Sequence, residues 1–486
     1  MPPVNRAAPC PWSSWTRAAL ALCLLAAAPA GAAAAEPSPS SLATAEAAAR
    51  VIGGALTDGA ALARLTELTD GIGPRISGSP GAAAAVAWAV EKLKADGIAV
   101  HTEKVMVPHW VRGAERAELV PRPGVAGLSL ALTALGGSGA TPPEGLTAEV
   151  IEARSLAEVR ALGDKVRGKI VLFQHPMSVA SHYGDFGELR TKGPAEAQKA
   201  GAAAALVRSL STASLRAPHT GATFVEPGAP LFPSAALAVE DAELLHRLLQ
   251  KGPVQVHLLL TPQTLPDAES ANVIGEVRGR EKPDEVVVIG AHLDSWDLAQ
   301  GAIDDGAGAA IVLETLRLLA REHPRRTVRG ILFMNEENGL RGGKAYAADH
   351  AGELPKHVAA MEADSGAGRP LSVQLHGGAG AVELLRPWMS PLETLGCEGT
   401  TENAEAGGAD ISPMAKVADP VPMVSVRQDS SHYFDFHHSA ADTLDKVKPL
   451  ELAEAAAAFA WTTWVLAEMP RALPRPTARP EEKSSK

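Results

Sequence analysis

The sequence predicts an α/β fold in which a mostly parallel, mixed sheet carries helices on both faces. From about residue 271 onward, strand-like runs alternate with helix-like runs, the order that builds parallel sheets. One of these runs, EVVVIGAH, is continuously apolar, as expected of a strand that is buried on both faces. Between residues 112 and 266 the pattern changes to short β-like runs and turns, which predicts an inserted α/β domain.

The first 35 residues are typical of a secretory signal peptide. Arg6 and Arg17 form a basic start, AALALCLLAAAPA is apolar, and small residues suited to cleavage continue to Ala35. An uncleaved anchor is the alternative, weighed against the length that a membrane-spanning helix requires. No later stretch is long and apolar enough to cross a bilayer. We therefore expect a secreted or periplasmic protein with no membrane attachment after cleavage.

Composition excludes several classes of partner. The chain has 486 residues and a net charge of −11 without a basic cluster, which argues against nucleic acid or an anionic membrane as a partner. Of three cysteines, only Cys397 lies beyond the signal segment. An exported chain with one cysteine has no internal disulfide, so its stability must come from packing or bound metal.

Residues 36–111 are expected to form the first part of the main domain. An alanine-rich helix is predicted over 41–64, followed by a turn, an amphipathic helix and a strand, with Gly97 ending the helix. Within 112–266, GKIVLF and AAALVRS predict strands and EDAELLHRLLQK predicts a helix. Few titratable groups cluster there, which indicates a supporting or lid role.

Residues 267–470 are expected to complete the main domain, and 471–486 form a polar tail. EVVVIGAH is followed by a helix in which Val312, Leu316 and Leu319 recur at helical spacing until Pro324. The remaining candidate strands are TVRGILFMN, HVAAMEAD, LSVQLHG and VPMVSV.

Side chains suited to bind metal follow four of these strands. His292 and Asp294 end the first, Glu336 and Glu337 follow the second, Asp364 follows the third, and the last runs on into RQDSSHYFDFHHSAADT. Because the carboxyl ends of the strands form the functional crevice of open α/β sheets, these groups should meet. Carboxylate and imidazole ligands without thiolate suit Zn²⁺, with Mn²⁺ or Co²⁺ as alternatives. So many carboxylates beside at least two histidines indicate two ions.

Five motifs resemble those of a known family. HLDSWD, GAIDDGAG, NEENGLRGG, MEADSG and FHHSAADT, in this order, resemble the M28 family of di-zinc peptidases, and most of all its carboxypeptidase Q branch. GPRISGS and KGPAEAQKAGAAAALVRS with APHTG are similar to that branch too. The resemblance covers nearly all of the chain after the signal segment. It implies a zinc exopeptidase fold, an inserted domain of the protease-associated (PA) type and a possible homodimer.

The resemblance also implies a role for each site residue. Two zinc ions would be held by five residues, namely Asp304 as the bridge, His292 and Asp364 on one ion, and Glu337 and His438 on the other. Glu336 would be the general base for a metal-bound hydroxide nucleophile. Asp294, two residues beyond His292, would orient that imidazole by accepting its second N–H.

Two of these assignments have a neighbouring competitor. Asp305 follows Asp304 and also fits the start of the next helix, where the helix dipole favours an acidic charge. His437 precedes His438, and the family spacing His-Ser-x-x-Asp-Thr selects His438. Further candidates for lining a pocket are His432, Tyr433 and Asp410, whereas His219 and Cys397 are expected to be structural.

The expected activity is hydrolysis of dipeptides or short peptides by an exported di-zinc exopeptidase. An aminopeptidase that acts on longer peptides would use the same ligands, so this alternative stays open. A single-zinc glutaminyl cyclase should lack the first histidine ligand, yet His292 is present. A non-catalytic binding protein should lack a ligand or the base, yet every position is filled.

Overall fold

A computed structural model describes residues 38–226 and 228–477. The predicted signal peptide over 1–35 and the end of the predicted polar tail, 478–486, lie outside the described residues. Within the part of the chain that is described, no helix combines the length and hydropathy that a bilayer crossing requires.

The elements are numbered in chain order. The strands are β1 (Ala99–Val111), β2 (Glu115–Leu119), β3 (Leu128–Leu130), β4 (Leu132–Ala134), β5 (Leu146–Ala153), β6 (Ile170–Phe173), β7 (Ala204–Arg208), β8 (Ser234–Leu237), β9 (Gln255–Leu260), β10 (Gln263–Val277), β11 (Lys282–His292), β12 (Arg326–Phe333), β13 (His357–Glu362), β14 (Pro370–His376), β15 (Thr400–Glu402) and β16 (Met423–Gln428). The α-helices are α1 (Leu42–Thr57), α2 (Ala60–Gly71), α3 (Pro80–Ala95), α4 (Leu156–Leu162), α5 (His182–Thr191), α6 (Gly193–Lys199), α7 (Val239–Leu249), α8 (Ala307–Glu322), α9 (Arg341–Asp349), α10 (Ala381–Leu385), α11 (Ser412–Ala415), α12 (Tyr433–Phe436) and α13 (Pro449–Glu468).

The main sheet has the strand order β1-β10-β12-β11-β13-β16-β14-β15. Its centre is parallel, because β11 pairs in parallel with both β12 and β13, and β13 pairs in parallel with β16. Antiparallel pairs flank this centre on both sides, between β1, β10 and β12 and between β14 and β16. The predicted mixed, mostly parallel α/β sheet is confirmed.

Strand β11 shows that both faces of the sheet are covered. Val287 and Ile289 join the large core cluster that contains the apolar residues of α8 and α13. Val286 and Val288, which point to the opposite face, join a second cluster with Tyr346 of α9. Burying a side chain of this size stabilises the fold by about 1.5–3 kcal/mol. This is why the strand reads as a continuous apolar run.

The N-terminal helical region differs from its prediction. The single helix predicted over 41–64 is broken into α1 and α2 at Asp58 and Gly59. Gly59 has φ 66°, a left-handed conformation that glycine adopts without steric cost. The next helix, α3, ends at Ala95, two residues before Gly97, and the Ser79 side chain caps its start by accepting the Ala82 N–H at 3.1 Å.

A second sheet is built entirely from strands within residues 115–260. Its order is β3-β2-β9-β5-β6-β7-β8-β4, and β5 to β8 are paired in parallel. Trp296, which follows β11 of the main sheet, packs into the core of this second sheet. A Cβ atom at Gly136 would lie 2.1 Å from the Trp296 ring, so only glycine leaves room for this contact. This packing holds the loop after β11 against the segment that forms the second sheet.

Candidate metal centre

His292 is the last residue of β11 and the first side chain of the site. Its Nε2 atom lies 3.1 Å from Asp304 Oδ1 and 3.7 Å from Asp364 Oδ1. Asp304 belongs to the turn before α8, and Asp364 follows β13. His292 and Asp304 are buried, whereas Asp364 is partly exposed. The three groups meet at the carboxyl ends of adjacent parallel strands, as the sequence predicted.

His438 lies on the other side of Asp304. Its Nε2 atom is 3.1 Å from Asp304 Oδ2 and 3.0 Å from Glu337 Oε2. The backbone of His438 is left-handed, with φ 57°, which is uncommon for a residue other than glycine. The Thr220 N–H of the inserted segment donates to the His438 carbonyl at 2.8 Å and holds this conformation. Asp304 therefore lies between two imidazoles, with one oxygen facing each.

The electrostatics of this cluster are those of crowded acids around two imidazoles. Burial, followed by the charge of Asp304, raises the pKa of Glu337 to about 7. Although burial opposes it, hydrogen bonds to Asp304 and Asp364 raise the pKa of His292 well above its usual value. Glu337 Oε1 is buried and has no hydrogen-bond partner in the described part of the chain. Such an arrangement requires positive charge among the carboxylates.

Asp305 also approaches His292, and one alternative ligand group consists of His292, Asp305 and Asp364. Both oxygens of Asp305 already accept backbone N–H groups, however, from His292 at 3.1 Å and from Gly308 at 3.0 Å. Gly308 lies in the first turn of α8, so Asp305 satisfies a helix N-terminus. The geometry therefore favours Asp304 over Asp305 as the residue that faces both histidines.

The contact between Asp294 and His292 differs from the prediction. His292 Nδ1 lies 3.0 Å from the backbone carbonyl of Asp294, whereas the nearer carboxylate oxygen is 3.8 Å away. The carboxylate is engaged elsewhere, because its Oδ1 accepts the N–H groups of Asn335 at 2.7 Å and Glu336 at 3.1 Å. Its other oxygen accepts the Ser77 hydroxyl at 3.0 Å. Asp294 thus orients the chain that carries Glu336, and only its main chain contacts His292.

The GPRISGS motif supports the loop after β11. The Arg75 guanidinium is fully buried and donates to the carbonyls of Leu293 and Gly301, each at 2.9 Å. Burial lowers the pKa of Arg75 to about 10. Asp442, from the last motif, accepts the Asp304 N–H at 3.2 Å. Neither Arg75 nor Asp442 was assigned a role from the sequence, although Arg75 lies in GPRISGS and Asp442 in FHHSAADT.

A cavity of about 340 Å³ opens from the candidate metal centre. Tyr433, one of the candidate pocket residues, lines it together with His437. His432 does not line this cavity; its side chain is 75% exposed and contacts Asp435 at 2.8 Å, because it precedes the short helix α12 at the surface. Asp410 is fully buried behind the site, where burial and the charge of Glu362 raise its pKa.

The inserted segment supplies part of the cavity wall through residues that the sequence did not single out. Tyr183 and Arg190 of α5 and Phe224 line the cavity together with residues of the main sheet. Arg190 is separated from His438 by 248 positions in the chain, so no local pattern could have paired them. His219 is buried near His437, with ring centroids 5.6 Å apart, and Cys397 is buried in the main core, as predicted.

The sequence places this site within a known class of enzyme. Residues 272–463 match Peptidase family M28. Carboxypeptidase Q of Rattus norvegicus is 40% identical over 417 residues, which cover 85% of this chain and 86% of that protein. The chain belongs to peptidase family M28 and is a metallopeptidase.

Within the family, the chain is similar to carboxypeptidase Q, as its motifs predicted. A crystal structure of an M28 peptidase precursor from Shewanella amazonensis SB2B matches with a TM-score of 0.85 and 36% identity, covering 90% of this chain and 99% of that one. A zinc aminopeptidase from Bacillus subtilis shares the fold, with a TM-score of 0.60 and 21% identity over 83% of this chain and 93% of that one.

Proposed function

We propose that the protein is an exported di-zinc exopeptidase that hydrolyses dipeptides and other short peptides. One observation carries the proposal: Asp304 presents one oxygen to His292 and the other to His438, each at 3.1 Å. These side chains and their neighbours come from four separate strand ends, so their convergence is a property of the fold.

The residues present fit a pair of zinc ions. The proposed ligands are Asp304 as the bridge, His292 and Asp364 for one ion, and Glu337 and His438 for the other. The ligands are imidazole and carboxylate groups without thiolate. Glu337 Oε1, which has no hydrogen-bond partner among the described residues, is free to coordinate an ion. When bound, such ions supply Lewis acidity and lower the pKa of coordinated water towards ~7.

Glu336 is proposed to act as the general base that transfers the proton of the attacking water to the leaving amine. Its backbone N–H donates to Asp294 Oδ1, and Glu336 and Glu337, which follow β12, both line the cavity. Burial, reinforced by the negative charges of Asp364 and Glu337, raises the pKa of Glu336 well above its usual value. A carboxylate of this kind accepts a proton from the attacking water and then passes it to the nitrogen of the leaving amine.

The size of the cavity supports a short substrate. Its volume of about 340 Å³ is at the lower end of the usual range for small-molecule pockets, ~300–1,000 Å³. We propose that the segment 112–266 is a PA-like domain that closes the cavity on one side and thereby limits peptide length. An aminopeptidase would instead accept longer peptides through the same cleft.

Export is proposed from the leader sequence alone. Cleavage after Ala35 would leave Glu36 as the first residue of a secreted or periplasmic enzyme. N-terminal sequencing of protein recovered from the medium or the periplasm should begin at Glu36. A chain recovered there that begins at Met1 would contradict cleavage.

The activity is tested by hydrolysis of dipeptides, tripeptides and N-blocked peptides, with and without a chelator. We expect rapid, chelator-sensitive cleavage of dipeptides, recovery after zinc is restored, and little activity on N-blocked or longer peptides. Faster cleavage of longer peptides from the N-terminus would favour the aminopeptidase. Hydrolysis that survives complete removal of metal would overturn the mechanism.

A further inference from the structure

Arg190 is a buried cation at the cavity wall whose charge has no carboxylate partner within residues 38–226 and 228–477. The residue is 8% exposed, and none of the described Asp or Glu side chains forms an ion pair with it. Its guanidinium lines the same cavity as the proposed metal ligands. A buried charge without a counter-charge is costly, so its presence beside a substrate cavity indicates an anionic group on the substrate.

The guanidinium is held in place by the inserted segment. Arg190 Nη2 donates to the Tyr183 hydroxyl at 2.8 Å, and Nη1 donates to the Thr220 carbonyl at 3.4 Å. A Cβ atom at Gly221 would lie 2.4 Å from Arg190 Cζ, so the glycine provides the space that the guanidinium occupies. Arg190 Nε is buried, and none of the residues that the structure describes accepts a hydrogen bond from it. The group is therefore fixed in orientation while its hydrogen-bonding capacity is incompletely used.

A second unpartnered group lines the same cavity. His437 is 2% exposed, and neither of its ring nitrogens has a hydrogen-bond partner among the described residues. Its ring stacks on Tyr433 with centroids 5.2 Å apart, and Tyr183 packs edge-on at 5.3 Å. A buried imidazole with two unused nitrogens is suited to hydrogen-bond a polar group of a bound molecule.

The Arg190 guanidinium lies next to His438, one of the proposed metal ligands. Its Nη1 atom is 3.3 Å from His438 Nδ1, and the other ring nitrogen of His438 faces Asp304 and Glu337. One residue of extended peptide spans about 3.3–3.6 Å. Arg190 is therefore one imidazole ring away from the proposed metal ligands, and each further residue of a leaving segment would move its terminus by about one such span.

We propose that Arg190 binds the free α-carboxylate of the residue released by cleavage, which makes substrates with a single residue beyond the scissile bond the preferred class. This inference rests on the proposed exopeptidase function and deepens it. The carboxylate supplies the missing counter-charge, and His437 donates a further hydrogen bond to the same end of the substrate. Dipeptides meet this requirement, whereas C-terminal amides do not.

An acidic side chain on the released residue could satisfy the same guanidinium, so the test uses substrates that contain alanine only. The probes are alanyl-alanine and alanyl-alaninamide, which differ by one charge and are otherwise nearly the same size. We expect the wild-type enzyme to cleave the free acid with a kcat/KM about 10–100-fold higher, since charge-assisted hydrogen bonds discriminate to this extent.

The Arg190→Gln variant should lose this preference. Its kcat/KM for the free acid should fall about 10–100-fold, mainly through KM, while that for the amide changes by less than about threefold. Arg190→Lys should keep part of the preference, because it retains the charge without the fork geometry. The matched control is Arg160→Gln, which removes an exposed arginine from the same segment and should change neither rate.

A purely structural role for Arg190 predicts a different result. In that case Arg190→Gln would lower both rates in the same proportion and leave their ratio unchanged, which would overturn the proposal. Equal cleavage of the acid and the amide by the wild-type enzyme would also overturn it, and that comparison needs no variant. The Tyr183→Phe variant removes the hydroxyl that accepts from Arg190. It should lower kcat/KM for alanyl-alanine by a few-fold and leave that for alanyl-alaninamide unchanged. If the wild-type enzyme cleaves neither substrate nor any other peptide, the exopeptidase function itself is wrong.

Discussion

Replacing Asp294 by asparagine tests how the site holds Glu336, the proposed general base. Asp294 Oδ1 accepts two backbone N–H groups, at 2.7 Å from Asn335 and 3.1 Å from Glu336, and the residue is fully buried. Asparagine keeps the shape and one accepting oxygen but removes the charge. A hydrogen bond to a charged group is worth ~1.5–3 kcal/mol and a neutral one ~0.5–1.5 kcal/mol, so two bonds should lose about 2 kcal/mol in all.

We therefore expect the free energy of unfolding of Asp294→Asn to fall by about 2 kcal/mol, measured by urea denaturation. Because Asp294 positions Glu336 and lines no part of the cavity, kcat should fall about 10–30-fold with KM nearly unchanged. The control is Asp164→Asn, whose side chain is 93% exposed. If Asp294→Asn changes neither the free energy of unfolding nor kcat, the Asp294 carboxylate does not hold the main chain of Asn335 and Glu336 in the way proposed.

Three further predictions follow from the burial of particular side chains. Glu336→Gln should keep its fold and its bound metal but lose at least about 100-fold in kcat, and near-full turnover would remove Glu336 from the proton-transfer role. Burial lowers the pKa of His357 to about 4 from 6.5. His357 therefore stabilises the fold above its unfolded pKa and loses this contribution as the pH falls from 6.5 towards 4. The stability gap between wild type and His357→Gln, from urea titrations at pH 7 and 4.5, should narrow by about 2–3 kcal/mol, and a constant gap would contradict this. Burial raises the pKa of the Cys397 thiol to about 11, so a thiol reagent at pH 8 should label it only after denaturation; rapid labelling of the native protein would be inconsistent with its burial.

Sequence patterns brought together the residues of the candidate metal centre because these residues follow the ends of strongly patterned strands. His292, Glu337 and Asp364 each come directly after an apolar run, and parallel strands bring such positions to one edge of a sheet. His438 was selected by the spacing of its motif, since its neighbour His437 has the same chemistry. The structure separates the two, because His438 Nε2 faces Asp304 whereas both nitrogens of His437 are unpartnered.

Other features depended on geometry that a sequence does not carry. The main chain of Asp294 contacts His292 because the loop turns its carboxylate towards the following strand end. The break between α1 and α2 is set by the left-handed Gly59 inside an otherwise helical, alanine-rich stretch. Arg190 meets the site only because two sheets, formed by distant segments, share one cavity.

The most direct test of the account is the metal content of the purified protein after dialysis, measured by mass spectrometry. We expect about two zinc ions per chain, with loss of both metal and peptidase activity when Asp304, the proposed bridge, is replaced by alanine. A protein that holds one ion or none and still cleaves dipeptides at full rate would contradict it.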